Sequence, residues 1–137
     1  MPHHQIALIG CGKMGSAMLE GWLSDESLDA NFIIIEPESK HLQWLAGQPR
    51  VKHYTNCVTA IAANAPPSTI VVLAVKPQMM EDALRAMDVM ASAAHAFLSI
   101  AAGIQTGWLH ARLGVDAVVM RAMPNTPAAI GKGITAL

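Results

Sequence analysis

Between an apolar run, Gln5 to Ile9, and a segment of helical periodicity stands Gly10-Cys11-Gly12-Lys13-Met14-Gly15. No other feature of the 137 residues narrows the choice of fold so far. A strand that turns directly into a helix needs backbone freedom where it bends and close approach where the helix returns, and both needs are met by residues without a Cβ. In that setting the three glycines have distinct tasks. Gly10 permits the tight turn, Gly12 lets backbone approach a pyrophosphate, and Gly15 lets the helix pack on the strand. Free N–H groups near Lys13 and Met14 then point at the phosphates, with the positive end of the helix dipole behind them.

Glu36 stands 21 residues after Gly15, just past the apolar run Phe32 to Ile35. A carboxylate at that place accepts hydrogen bonds from the adenosine ribose of a dinucleotide, and this favours NADH. NADPH is possible but disfavoured. Its 2′-phosphate, placed about 4 Å from the carboxylate, would be repelled by several kcal/mol per unit charge at an effective dielectric near 20. Glu38 adds to the repulsion, whereas Ser39 and Lys40 offset part of it.

The rest of the chain repeats the strand-then-helix pattern of a parallel sheet with crossover helices. Strands are expected at Gln5 to Ile9, Phe32 to Ile35, Val51 to Tyr54, Thr69 to Val75, Ala96 to Ile100 and Ala117 to Met120. Several are continuous hydrophobics, as befits strands covered on both faces. Met14, Ala17, Met18, Gly21 and Trp22 recur at helical spacing and form the inner face of the first helix. Ser39 is the expected cap of a helix carrying Leu42 and Leu45, and Asn56 of a short helix that Pro66-Pro67 stops. Pro77 suits the first turn of a helix running to about Met90, and Thr106 the cap of a helix over Trp108 to Leu113. With no repeat or linker in sight, residues 1–137 are read as a single dinucleotide-binding domain. Its fold class is α/β: a doubly wound Rossmann-type parallel sheet in three αβα layers.

Composition narrows the function further. The chain is 53% hydrophobic and 14% charged, against about 25% charged in a typical domain, so part of its surface is expected to lie against a partner or a further segment. A net charge of -1 without a Lys/Arg cluster lacks the footprint of a nucleic-acid binder. The longest apolar stretch, Ile70 to Val75, falls far short of the roughly 20 residues that cross a bilayer. No nucleic acid, no membrane and a cytoplasmic location are therefore expected. Cys11 and Cys57 match neither a disulfide framework nor a metal motif, and no metal site is expected among the six scattered histidines.

In the distal half, Ala74-Val75-Lys76-Pro77 follows the fourth strand, where ligands gather in open α/β sheets. Ser99-Ile100-Ala101-Ala102-Gly103 ends the next strand with small side chains that leave room for a flat ring. In Arg121-Ala122-Met123-Pro124-Asn125-Thr126-Pro127 two prolines fix the loop that carries the Asn125 amide and the Thr126 hydroxyl.

Taken together, these motifs resemble the N-terminal domain of the pyrroline-5-carboxylate reductase family, nearly from end to end; Met123-Pro124-Asn125-Thr126-Pro127-Ala128 is the most specific of them. The resemblance implies hydride transfer from a reduced nicotinamide to the imine carbon of 1-pyrroline-5-carboxylate, giving L-proline. It also implies that Gly10 to Gly15 hold the pyrophosphate and that Ala74 to Pro77 line the middle of the cofactor. Ala101, Ala102 and Gly103 with Asn125 would flank the nicotinamide, and Met123, Pro124, Asn125 and Thr126 would lie near the substrate. Many members carry Asn or Ser followed by Arg where this chain has Glu36-Pro37, so the family habit of NADPH and the carboxylate point in opposite directions. The family adds a helical C-terminal domain that forms a homodimer or higher homo-oligomer and contributes to the substrate site. That domain is absent here; no catalytic residue is assigned in these 137 residues, and they are expected to bind cofactor with little or no turnover. Two other readings stand beside this one: a relative of the β-hydroxyacid dehydrogenases, and a non-catalytic dinucleotide-binding module that senses redox state.

Overall fold

Four consecutive apolar residues, Phe32 to Ile35, are all buried, which requires cover on both sides of the strand that holds them. A computed structural model of the chain describes residues 4–40, 42–62, 70–86, 96–114 and 117–123 and supplies that cover. Six strands, β1 (His4–Ile9), β2 (Ala30–Ile35), β3 (Val51–Tyr54), β4 (Ile70–Leu73), β5 (Ala96–Ser99) and β6 (Val119–Arg121), form one sheet in the order β3-β2-β1-β4-β5-β6. Every neighbouring pair is parallel. The order reverses between β1 and β4, the switch point of a doubly wound sheet.

One face is covered by α1 (Lys13–Ser24) and a 3-10 turn over Gln43–Leu45, which bury Met18, Leu19, Leu42 and Leu45 against Leu8, Phe32, Ile34 and Val72. The other carries α2 (Cys57–Ala62), α3 (Met80–Ala86) and α4 (Thr106–Leu113), which bury Cys57, Met80, Leu84 and Leu109 against Ile33, Ile35, Val71 and Phe97. This is the expected three-layer αβα architecture. Each large aliphatic side chain so buried is worth about 1.5–3 kcal/mol, enough to explain why the β2 and β4 runs do not alternate with polar residues.

Cover is uneven. Register pairs Leu98 with Met120, and these two share the α1 face, where Leu98 and Ile100 are half-buried at the rim of the cluster. Val118 is 56% and Met120 44% exposed. Right-handed crossovers account for this: connections moving from β1 to β2 to β3 pass over one face, and those moving from β4 to β5 to β6 over the other.

Strand positions agree with the sequence reading, with shifts at the ends. The fourth strand contracts to Ile70–Leu73, Thr69 lying outside the described residues, and the sixth moves from Ala117–Met120 to Val119–Arg121. Pairing rather than apolarity sets these limits: Phe97, Leu98 and Ser99 find partners at Val119, Met120 and Arg121. Asn56 caps α2 as expected, its Oδ1 accepting the Thr59 N–H at 2.8 Å and hydroxyl at 2.9 Å.

Two caps fail. Ser39 starts no α-helix; it offers only its carbonyl to the Leu42 N–H at 3.0 Å, and the short turn that follows gives way at Gly47, with φ 82°. Thr106 lies inside α4, whose cap position is held by Gln105 without a side-chain bond. Pro77 opens a 3-10 turn, Pro77–Met79, before α3 begins; residues 87–90 of the expected helix lie outside the described residues. Arg50 clips the α1–β2 connection by donating from Nη1 to the Leu28 carbonyl at 2.8 Å and from Nη2 to that of Leu23 at 3.1 Å.

Candidate functional site

Parallel strands bring all their carboxyl ends to one edge of the sheet, and here those ends carry the motif residues. Glu36 follows β2, Gly10 to Gly15 follow β1, Ala74 to Pro77 follow β4, Ala101 to Gly103 lie beyond β5, and Met123 lies beyond β6. Spatial order along the edge therefore runs from Glu36 through the glycine turn to Ala74, Ala101 and Met123. With strands about 4.8 Å apart, β2 and β6 are separated by roughly 19 Å. The edge is held in line by rungs just past the strands: Gly10 N–H to Ile35 O at 2.8 Å, Ala74 N–H to Ile9 O at 2.8 Å, Ile100 N–H to Leu73 O at 3.1 Å and Ala122 N–H to Ser99 O at 2.9 Å.

The three glycines differ in what requires them. Gly10 has φ 89°, and a Cβ there would stand 2.8 Å from Val75 Cγ1 and 2.9 Å from the Ala74 carbonyl oxygen. At Gly15 a Cβ would meet the Gly10 carbonyl oxygen at 2.9 Å and the Ala74 Cβ at 3.6 Å. Both are demanded by the protein's own packing. Gly12 has an ordinary φ of -78°, and a Cβ there meets nothing within 4 Å. Neither backbone nor packing excludes a side chain at Gly12; a group approaching from outside the chain would. In dinucleotide-binding turns of this form, the second glycine is the place where a pyrophosphate comes nearest the backbone.

Gly12 is also the N-cap of α1, and the first intrahelical bond runs from Ser16 N–H to the Gly12 carbonyl at 2.8 Å. The N–H groups of Lys13 and Met14 precede it and face out of the helix end. These features fit an anionic bridge between two nucleosides.

Glu36 is half-buried and turned toward this loop. Its Oε1 accepts the Cys11 N–H at 2.9 Å, and Oε2 accepts the Glu38 N–H at 3.0 Å. Its carbonyl lies 2.8 Å from His53 Nε2, which must carry the proton because a carbonyl only accepts. Sequence position alone left the orientation of this carboxylate open. Ser16 is a residue that the sequence did not single out: its hydroxyl donates to the Cys11 carbonyl at 3.2 Å and lies 3.5 Å from the Cys11 Sγ. Cys11 itself is fully buried, and burial pushes its thiol above the ordinary value, with the Ser16 hydrogen bond opposing and the negative charge of Glu36 assisting.

Toward the distal end, Lys76 and Pro77 are exposed while Ala74 and Val75 are half-buried. Ser99 is buried and accepts the Ala101 N–H on its Oγ at 3.3 Å, which shapes the turn that ends at Gly103 with φ 76°. Ala101 is buried; Ala102, Gly103 and Met123 are exposed. Pro124, Asn125 and Thr126 lie outside the described residues. Among the described residues no group of three His, Cys, Asp or Glu could hold a metal ion, and no helix is long and apolar enough to cross a membrane.

A doubly wound sheet with a glycine turn at the switch point, a cradle for an anionic bridge and a carboxylate after β2 defines a nucleotide-binding domain of the Rossmann type. The chain belongs to the family described as NADP oxidoreductase, coenzyme F420-dependent, whose model matches residues 5–103. It is 34% identical to the pyrroline-5-carboxylate reductase of Haemophilus influenzae over 137 residues, all of this chain and 49% of the relative. It is 32% identical to that of Escherichia coli over 134 residues, 97% of this chain and 48% of the relative. Among solved structures, a pyrroline-5-carboxylate reductase from Coxiella burnetii superposes with a TM-score of 0.80 at 26% identity, over 96% of this chain and 48% of that one. The Plasmodium falciparum pyrroline carboxylate reductase, solved with NADP bound, gives a TM-score of 0.76 at 23% identity over 98% and 47% of the two chains. The resemblance read from the motifs is thus shown, and the chain spans about half the length of the curated relatives it matches.

Proposed function

We propose that the complete protein reduces 1-pyrroline-5-carboxylate to L-proline, the last step of proline biosynthesis, and that residues 1–137 are its dinucleotide-binding domain. One observation carries the reading. In a chain 34% identical to a reductase of that name, Gly10 to Gly15, Glu36, Ala74 to Pro77 and Ala101 to Gly103 all leave the sheet at one edge. A reduced nicotinamide, when bound, supplies the hydride. This chain's residues bind and orient it. Gly10, Gly12 and Gly15 with the N–H groups of Lys13 and Met14 hold the pyrophosphate, and Glu36 takes the adenosine ribose. Ala74, Val75, Lys76 and Pro77 line the middle of the cofactor. Ala101, Ala102 and Gly103 with Asn125 flank the nicotinamide, and Met123, Pro124, Asn125 and Thr126 lie toward the substrate.

The preferred cofactor in this reading is NADH. The Glu36 carboxylate is fixed beside the glycine turn by two backbone N–H groups, and a 2′-phosphate on the same ribose meets that charge. Paired titration of the chain with NADH and NADPH tests the preference; tighter NADPH binding overturns it. The complete enzyme is cytoplasmic and a homodimer or higher homo-oligomer, with its catalytic groups outside residues 1–137. A steady-state assay of these residues alone is expected to yield little or no proline. Assay of the complete protein with 1-pyrroline-5-carboxylate and each reduced dinucleotide in turn tests the reaction, and failure to oxidise either one refutes it.

A further inference from the structure

Every polar atom of Glu36 has a partner within the chain, while each carboxylate oxygen keeps a further lone pair for a ribose hydroxyl. Its N–H donates to the Tyr54 carbonyl at 3.0 Å, its own carbonyl accepts from His53 Nε2 at 2.8 Å, and its two carboxylate oxygens take the Cys11 and Glu38 N–H groups at 2.9 and 3.0 Å. Through these contacts the ends of β2 and β3 are joined to the loop after β1. The Cys11 peptide is gripped on both sides, its N–H by Glu36 and its carbonyl by the Ser16 hydroxyl, while the thiol is sunk in the core beneath α1.

The Cys11 N–H needs such a partner. Gly10, at φ 89°, has already given its own N–H to the last rung with Ile35 and then turns the following peptide out of the ladder. A buried amide left without an acceptor is costly, so the loop conformation that presents Gly12, Lys13 and Met14 depends on the carboxylate beside it.

We infer that Glu36 is a positioning residue for the phosphate-binding turn, in addition to facing the adenosine ribose. One side chain then has two separable effects: its negative charge discriminates against a 2′-phosphate, and its oxygen clamps the turn. Only the charge is involved in cofactor preference. The clamp acts on the pyrophosphate shared by both dinucleotides.

The inference rests on the dinucleotide reading for its binding arm but not for its structural arm, and the test uses both. Glu36→Gln keeps an acceptor oxygen and loses the charge, whereas Glu36→Ala loses both, so comparing these two neutral variants isolates the clamp. In the ligand-free chain the Cys11 amide proton is expected to be protected from solvent exchange in the wild type and in Glu36→Gln, and to exchange about tenfold or more faster in Glu36→Ala. Inorganic pyrophosphate, observed by amide chemical-shift titration, is expected to bind Glu36→Ala about tenfold more weakly than Glu36→Gln. Equal exchange and equal pyrophosphate affinity in the two variants overturn the inference. So does an unprotected Cys11 amide in the wild type, a measurement that holds even if Glu36→Ala fails to fold. Should the clamp be present while Glu36→Gln leaves the NADH to NADPH ratio unchanged, the cofactor preference falls and the positioning role stands.

Discussion

The α-carbon of Gly15 faces the carbonyl oxygen of Gly10 so closely that a Cβ would stand 2.9 Å from it. A backbone oxygen cannot rotate away, so Gly15→Ala must push α1 off β1. Overpacking of this kind costs about 1–3 kcal/mol, and a lowered midpoint in denaturant melts is the expected result, together with weaker dinucleotide binding.

Gly12→Ala is the contrasting case. With nothing within 4 Å of the new methyl and φ at -78°, stability is expected to stay within about 0.5 kcal/mol of the parent. Dinucleotide affinity is expected to fall by at least about tenfold, because the methyl occupies the approach of the phosphates. Melts and titrations of the two glycine variants side by side check the separation; a strongly destabilised Gly12→Ala contradicts it.

How much of this was legible in the sequence follows from the same two residues. The motif spacing identified the turn, but only three-dimensional contact distinguishes a glycine that packing requires, Gly15, from one that it does not, Gly12. Strand locations could be read because β2 and β4 are apolar on both faces. Their ends could not, since Val119 rather than Ala117 begins β6 by virtue of its register with Phe97. Asn56 was a legible cap because its side chain reaches Thr59 locally. The Glu36 to Cys11 bond was not, as it joins residues 25 apart across two strand ends.

Arg50 supplies a third prediction. Its guanidinium satisfies the carbonyls of Leu28 and Leu23 and lies 5.8 Å from the centroid of the Phe32 ring. Removing it at Arg50→Ala is expected to cost about 1–3 kcal/mol in chemical denaturation, because two partly buried carbonyls lose a charged donor. Arg50→Lys restores one point donor rather than a fork and is expected to recover only part of the loss.

Both thiols titrate above the ordinary value of 9.0 because they are buried; at Cys11 the Ser16 hydrogen bond opposes this and the negative charge of Glu36 adds to it. The folded chain thus retains protons that the unfolded chain releases above about pH 9. Stability from this source is complete below pH 9 and is lost as pH rises toward the folded values. Native thiols are expected to resist alkylation at neutral pH and to react on addition of denaturant; rapid modification of the folded chain would contradict the burial of Cys11 and Cys57.

On the α1 face at this edge of the sheet, Met120 of β6 and Val118 just before it are open to solvent, Met120 beside its register partner, the half-buried Leu98. Val118→Thr with Met120→Gln is expected to leave the melting temperature nearly unchanged and to reduce binding of an apolar dye. A large fall in melting temperature would show that these side chains are covered in solution.

The placing of β1 between β2 and β4 has a consequence for how the chain is born. Ile6 pairs with Phe32 on one side and with Ile70 on the other, so one flank of the central strand stays bare until residues far downstream have left the ribosome. At about 5–20 residues per second that interval lasts several seconds, a window in which a nascent polypeptide with an open, strongly apolar strand is exposed to chaperones and to its neighbours.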